Sequence, residues 1–170
     1  MIILSLGSNL PSKFGDRFDN LIFALSLIES NGILINKKSS YYETPSYPDQ
    51  KNPKFINIIV SVKTHLKPID LMTLLISIEK KMGRKRDIKN EPRTCDIDII
   101  DYNNEIINHK DKNLSLIIPH KELSLRNFVL YPLKEISPNW LHPINNVKID
   151  ILIQNLPDNL RNSILKVKKN

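Results

Sequence analysis

FINIIVSVKTHLKPIDLMTLLISIEKKMG, residues 55–83, holds a strand pattern and a helix pattern back to back. In residues 55–62, Ile56, Ile58, Val60 and Val62 point one way, and Phe55, Asn57, Ile59 and Ser61 the other. Strand side chains alternate in this way, so the spacing predicts a strand with apolar residues on both faces. Pro68 suits the first turn of a helix, where its missing N–H has no bond to lose. Leu71, Leu74, Leu75, Ile78 and Met82 then form one apolar stripe at helical spacing, and Gly83 supplies a left-handed stop.

The pattern repeats outward. Residues 1–6 are a short apolar strand, ended by the turn signal Gly7-Ser8-Asn9. Phe18, Leu21, Ile22, Leu25 and Ile28 follow helical spacing up to Asn31-Gly32. Residues 33–42 read as one strand, and residues 44–53, with three prolines, as a loop. Beyond Gly83, residues 84–93 are a charged loop without period, and residues 94–102 are a strand. A turn at Asn103-Asn104, a short apolar stretch at 114–118, a helix near 126–136 and a weaker helix near 149–156 follow. The order strand, helix, strand, strand, helix, strand predicts an α+β fold: a ferredoxin-like antiparallel sheet with two helices packed on one face, plus C-terminal extras. The other face is then open to build a site unless the tail covers it. With no repeat and no linker, residues 1–170 are expected to form a single domain.

Composition narrows the classes. Hydrophobic residues at 41% and charged residues at 25% match a globular chain and exclude a disordered one. No apolar run approaches the roughly 18 residues that span a bilayer, so no membrane partner is expected. The start, MIILSLG, lacks a basic segment, which argues against a signal peptide. Cys95 is the only cysteine, so no internal disulfide and no thiolate metal site can form. It reads as a small buried hydrophobe in a reducing, cytoplasmic compartment. The net charge of +7 fits a polyanionic partner, either nucleic acid or a nucleotide. Lys166, Lys168 and Lys169 read as a solvated end.

The strand at 94–102 carries the chemistry. Asp96 and Asp98 share one face, about 6.6 Å apart along the strand, while Ile97 and Ile99 face the core. Two buried carboxylates repel and require a cation between them. Mg²⁺ takes one or two carboxylates plus substrate phosphates, and two ions about 3.5–4 Å apart fit such a pair. The D-x-D spacing by itself is weak, because a wet face or lysine and arginine partners explain it better. Its setting is stronger: Arg84, Lys85, Arg86, Lys89 and Arg93 crowd the residues just before it. Arginines hold phosphate oxygens bidentately, and metal-holding aspartates complete a polyphosphate site. Neither a P-loop nor G-x-G-x-x-G is present, so phosphate must be held by side chains and metals.

The chain resembles the 6-hydroxymethyl-7,8-dihydropterin pyrophosphokinases of folate biosynthesis. The resemblance rests on SLGSNL (5–10), YYETP (41–45), FIN (55–57), IEKKMGRKR (78–86), PRTCDIDI (92–99), IPHKEL (118–123) and RNFVLYPLKEI (126–136). These motifs run in order over residues 5–136 and leave 141–170 as a family-variable tail. The resemblance implies a transferase that moves the β,γ-pyrophosphoryl group of ATP to the hydroxymethyl group of the pterin, giving AMP and the pterin diphosphate. It implies that Asp96 and Asp98 hold two Mg²⁺ ions and that Arg84 and Arg93 are catalytic arginines on a mobile loop. Glu79, Arg84, Arg86, Arg93, His120 and Arg126 would bind ATP, and Thr44, Pro45, Phe55, Asn57 and Phe128 the pterin. A monomer with these two substrates and no nucleic-acid partner is implied. Four places depart from the family pattern: Ile76 for a glutamine, Asn90 and Glu91 for a tryptophan and glycine, Lys121 for an aromatic, and no arginine near Ser115. They imply a changed nucleoside grip with the phosphate and metal positions kept.

Two rival readings remain. A small basic ferredoxin-like RNA-binding module fits the fold and charge, but no strand carries the basic-Gly-aromatic pattern of such modules. A catalytically dead metal-binding regulator fits the motifs, and turnover separates it from the enzyme.

Overall fold

The computed structural model describes residues 1–47, 49–84, 91–112 and 114–169. Its elements in chain order are β1 (Ile2–Ser8), α1 (Arg17–Ser30), β2 (Leu34–Lys38), β3 (Tyr41–Thr44), β4 (Phe55–Lys63), α2 (Pro68–Lys81) and β5 (Asp96–Tyr102). There follow β6 (Ile107–Lys110), β7 (Ser115–Ile118), a 3-10 turn at Leu123–Leu125, α3 (Asn127–Ile136), α4 (Ile149–Gln154), α5 (Asp158–Arg161) and β8 (Leu165–Val167). The main sheet runs β5-β1-β4-β3-β8, with β2 beside β4 on the β3 side, and its pairings are antiparallel. This is the expected ferredoxin-like core.

Both helices start and stop where their sequences provide the chemistry. Asp16 caps α1 by accepting hydrogen bonds from the N–H groups of Phe18 (2.7 Å) and Asp19 (2.9 Å). The Asp19 carboxylate accepts from Asp16 N–H in return (3.1 Å), so three otherwise unpaired backbone donors near the helix start are satisfied. α2 opens on Pro68 and ends at Met82, followed by Gly83 at φ +86°. Leu21, Ala24, Leu25 and Ile28 of α1 and Leu71, Leu75 and Ile78 of α2 are buried. They cover Leu4, Leu6, Ile56, Ile58, Val60, Ile97 and Ile99 on one sheet face.

The opposite face is divided. Ile3, Ile59 and Ile100 lie under Val129, Leu130 and Leu133 of α3, together with Trp140 and Ile149. Trp140 Nε1–H donates to Asp101 Oδ2 at 2.8 Å, which satisfies a buried indole and a buried carboxylate together. The tail thus covers half of the face that was open on the sequence reading. Further along the strands the apolar residues stop: Ser5 lies between Ile59 and Asp98, and Gly7 between Asn57 and Asp96.

Three elements differ from expectation. Residues 33–42 form two strands, β2 and β3, along the same side of β4. The break is at Ser39, whose N–H donates to Ile59 O (2.9 Å) and whose Oγ accepts from Ile59 N–H (3.0 Å). A side-chain oxygen has replaced a backbone carbonyl in the ladder. The stretch at 114–118 is half of a hairpin with β6. The C-terminal lysines stay exposed but are not a free end: β8 pairs with β3, Lys166 Nζ lies 3.5 Å from Glu135, and Lys169 meets Asp19. Cys95 is buried as expected, and burial pushes its thiol up in pKa. Among the described residues, no helix is long and apolar enough to cross a membrane.

Candidate active site

The open half of the sheet face gathers most of the residues singled out in the sequence. Asp96 and Asp98 point from β5 to the same side, and each is paired with arginine. Arg84 follows Gly83 at the end of α2, and its Nη1 contacts both Glu79 and Asp96. Glu79 is 1% exposed and accepts the Ile97 N–H at 2.7 Å, so it joins α2 to β5 while holding Arg84. Burial works against the Arg84 charge, yet Asp96 and Glu79 outweigh it and hold the guanidinium above its ordinary pKa.

Arg93 approaches Asp96 from the other side. Its Nε lies 3.1 Å from Asp96 Oδ2, but this N–H is not aimed at a hydrogen-bond acceptor among the described residues. The contact is therefore an ion pair without a directed bond. The same guanidinium stands 5.3 Å from the Phe55 ring centre. A similar arrangement surrounds Asp98: Arg126 Nη1 donates to Asp98 Oδ2 at 3.0 Å, and its guanidinium lies 5.5 Å from the Phe128 ring centre. Arg126 Nη2 also donates to Glu122 at 2.8 Å. Each aspartate thus shares an arginine with an aromatic face.

The surrounding protein pushes the Asp98 carboxyl up in pKa, and the neighbouring Asp96 adds to this. His120 and Arg126 oppose the shift without cancelling it. Burial, then Arg126, holds His120 below its ordinary pKa. His120 Nδ1 accepts the Glu122 N–H at 3.2 Å, so the neutral ring carries its proton on Nε2, as a donor. Among the described residues joined by these ion pairs, four carboxylates (Glu79, Asp96, Asp98, Glu122) meet three guanidinium groups (Arg84, Arg93, Arg126).

Beside this cluster, across Gly7, lie the buried polar side chains Asn57 and Thr44. Asn57 Nδ2 donates to Thr44 Oγ1 (3.0 Å) and Tyr42 O (3.4 Å). With the amide nitrogen so engaged, Oδ1 is turned toward Gly7: a Cβ there would lie 3.0 Å from it and 3.4 Å from the Phe55 ring. The missing side chain lets Asn57 and Phe55 approach the Gly7 backbone closely. Pro45 follows Thr44 at the end of β3. Phe128 belongs to α3, packs at the margin of the second core, and reaches the cluster through Arg126. Arg86 and Asn90 lie outside the described residues, as does the interior of the basic loop, 85–90. The two ends of that loop are tied down, Arg84 by its carboxylates and Arg93 by backbone bonds to Asn9 and Leu10. Ile76 lines a shallow pocket of about 220 Å³ with Glu79, Lys80 and Arg84. A wider depression of about 420 Å³ at the β3–β8 edge shares none of these residues.

Ser5, Gly7 and Asn9 escaped the sequence reading as site residues. SLGSNL was visible as a strand running into a turn, and its alternation puts Ser5 and Gly7 on one face. Their neighbours come from strands more than 40 residues away, and that pairing is not written locally.

The comparisons with known proteins give the family. The family profile described as 7,8-dihydro-6-hydroxymethylpterin-pyrophosphokinase (HPPK) matches residues 3–138. A 2-amino-4-hydroxy-6-hydroxymethyldihydropteridine pyrophosphokinase of Aquifex aeolicus is 38% identical over 143 residues, covering 84% of each chain. The folic acid synthesis protein FOL1 of Dictyostelium discoideum is 37% identical over 158 residues, 93% of this chain but 23% of that protein. The Pneumocystis carinii folic acid synthesis protein is likewise matched over 20% of its length. A crystal structure of Plasmodium falciparum HPPK-DHPS with SDX-DHP superposes with a TM-score of 0.69 at 20% identity, over 97% of this chain and 46% of that one, and shows the shared fold. The chain belongs to the 7,8-dihydro-6-hydroxymethylpterin-pyrophosphokinase family.

Proposed function

We propose that the chain transfers the β,γ-pyrophosphoryl group of ATP to the hydroxymethyl oxygen of 6-hydroxymethyl-7,8-dihydropterin. The observation that carries the reading is the pair Asp96 and Asp98 on one strand face, ringed by Arg84, Arg93 and Arg126 and adjoining the buried Asn57–Thr44 pair. In the reaction the pterin oxygen bonds to the β-phosphorus and loses its proton. The bond from that phosphorus to the oxygen bridging to the α-phosphate breaks, and AMP leaves.

The residues fit two Mg²⁺ ions. Asp96 and Asp98 offer hard oxygen donors side by side on one strand face. Mg²⁺ bound by one or two carboxylates takes its remaining ligands from phosphate and water. When bound, the ions neutralise polyphosphate charge. Arg84 and Arg93 hold the transferred phosphates bidentately, and His120, through Nε2–H, and Arg126 bind the rest of ATP. Glu79 keeps Arg84 in place from the ATP side. Arg86, outside the described residues, completes the ATP set. Phe55 and Phe128 offer flat apolar faces to the pterin, Asn57 Oδ1 accepts from its ring N–H groups, and Thr44 and Pro45 form the wall.

The chain is proposed to act as a monomer. A single buried cysteine supports the cytoplasm. The RNA-binding alternative finds carboxylates where its sheet face would need to meet phosphate. The deciding assay measures AMP from ATP with and without the reduced pterin. AMP formation that depends on the pterin is expected. ATP turnover indifferent to pterin, or none at all, contradicts the proposal.

A further inference from the structure

Asn9 is 1% exposed, and none of the roles above uses it. Its Oδ1 accepts the Arg93 N–H at 2.6 Å. Its Nδ2 donates to Pro53 O at 3.0 Å and to Ser46 Oγ at 3.2 Å. These partners fix which end of the amide is which, because a backbone N–H requires an acceptor and a carbonyl requires a donor. The Asn9 and Leu10 N–H groups donate in turn to Arg93 O at 3.1 and 3.2 Å. From behind, buried Asn20 on α1 holds the same turn through Leu10 O at 2.8 Å. One side chain on a braced turn therefore grips two separate segments. One is the chain around Arg93, which meets Asp96. The other is the loop that leaves β3 after Thr44 and Pro45 and returns to β4 at Phe55.

From this geometry we infer that Asn9 is a positioning residue that fixes the Arg93 segment relative to Ser46 and Pro53, the two ends of the loop between β3 and β4. The inference rests on the pyrophosphokinase reading, in which the first segment serves phosphate and the second borders the pterin. A buried amide with all three contacts made is rigid, and each contact it loses leaves a desolvated polar group behind. Movement of the pterin-side loop is therefore transmitted to Arg93 through one amide group. No contact between Asn9 and substrate is needed.

The two ends of the amide can be separated. Asn9→Asp keeps an acceptor for Arg93 N–H and removes the donor to Pro53 O and Ser46. Asn9→Ala removes both. Amide exchange of the intact chain, read at Arg93 and over residues 45–54, reports each grip without reference to activity. Asn9→Ala is expected to speed exchange at both by at least ~10-fold, and Asn9→Asp only over 45–54. In kinetics, Asn9→Ala is expected to lower kcat by ~10- to 100-fold, and by no more than ~3-fold when Arg93 is already alanine. If β1 and β4 amides accelerate as much as Arg93, or if the two losses in kcat simply multiply, Asn9 only stabilises the fold and the inference fails. If exchange follows expectation but the unmodified chain forms no pterin-dependent AMP, the coupling stands and the pyrophosphokinase reading fails.

Discussion

Asp96 stands between two guanidinium groups, and Asp98 beside a third, so each carboxylate is neutralised before any substrate arrives. Removing either takes one carboxylate from a guanidinium, although Glu79 still holds Arg84 and Glu122 still holds Arg126, and takes away an oxygen donor for a cation. Asp96→Ala or Asp98→Ala is expected to reduce turnover at least ~10³-fold, since several kcal/mol of transition-state charge stabilisation is lost. Near-full Mg²⁺-dependent activity in either variant would remove the assignment. On the pterin side, Asn57→Ala is expected to weaken pterin binding by about 1–3 kcal/mol with ATP binding retained, because polar ring edges lose their partner. Gly7→Ala is expected to act in the same direction, since its Cβ meets Asn57 Oδ1 at 3.0 Å. Titration of each variant with each substrate alone checks both. The two aspartates were legible because strand alternation puts i and i+2 together. Asn9 was not: its acceptor bond reaches 84 residues along the chain, and an Asn after a Gly-Ser pair reads locally as a turn.

The elements differ in how completely their own sequences specify them. α1 carries a full capping box, whereas α2 begins at Lys67, which makes no side-chain cap bond although its backbone is extended as a cap requires. Lys67→Ser is therefore expected to stabilise the protein by about 1 kcal/mol in denaturant melts, with turnover unchanged. The basic loop is the opposite case, an element whose ends matter more than its sequence period. Arg84 and Arg93 are held beside Asp96 in advance. Arg84→Ala and Arg93→Ala are each expected to lower kcat by ~10²–10⁴-fold, and lysine at either position is not expected to rescue it, because the planar fork is lost. Stopped-flow measurement of the chemical step would show this; a normal step at saturating ATP would leave the arginines as anchors only. β4 and α2 were legible from one stretch because their periods are clean and Pro68 and Gly83 punctuate them. The break between β2 and β3 was hidden, since Ser39 Oγ takes over a ladder bond that no periodicity encodes. β6 and β8 were hidden because strands of four and three residues are set by their partners.

Across the whole molecule, one sheet face changes character along the length of its strands. Ile3, Ile59 and Ile100 take the tail helices as a lid of apolar contacts. Two residues further along β1 and β4, and from Asp98 toward Asp96 on β5, the same face turns polar and open. The tail leaves the carboxylates uncovered, and the site sits where the second core ends. The +7 net charge agrees with polyphosphate binding, though the arginines at the site are largely neutralised by their carboxylates. On the proposed function, the bond of ATP that breaks is the one between the α- and β-phosphates. Phosphorus NMR of ATP, Mg²⁺, the reduced pterin and the protein tests that most directly. The three ATP resonances are expected to give way to the single resonance of AMP and a coupled pair from the pterin diphosphate. Formation of ADP with a singly phosphorylated pterin would place the attack at the γ-phosphorus and contradict the account.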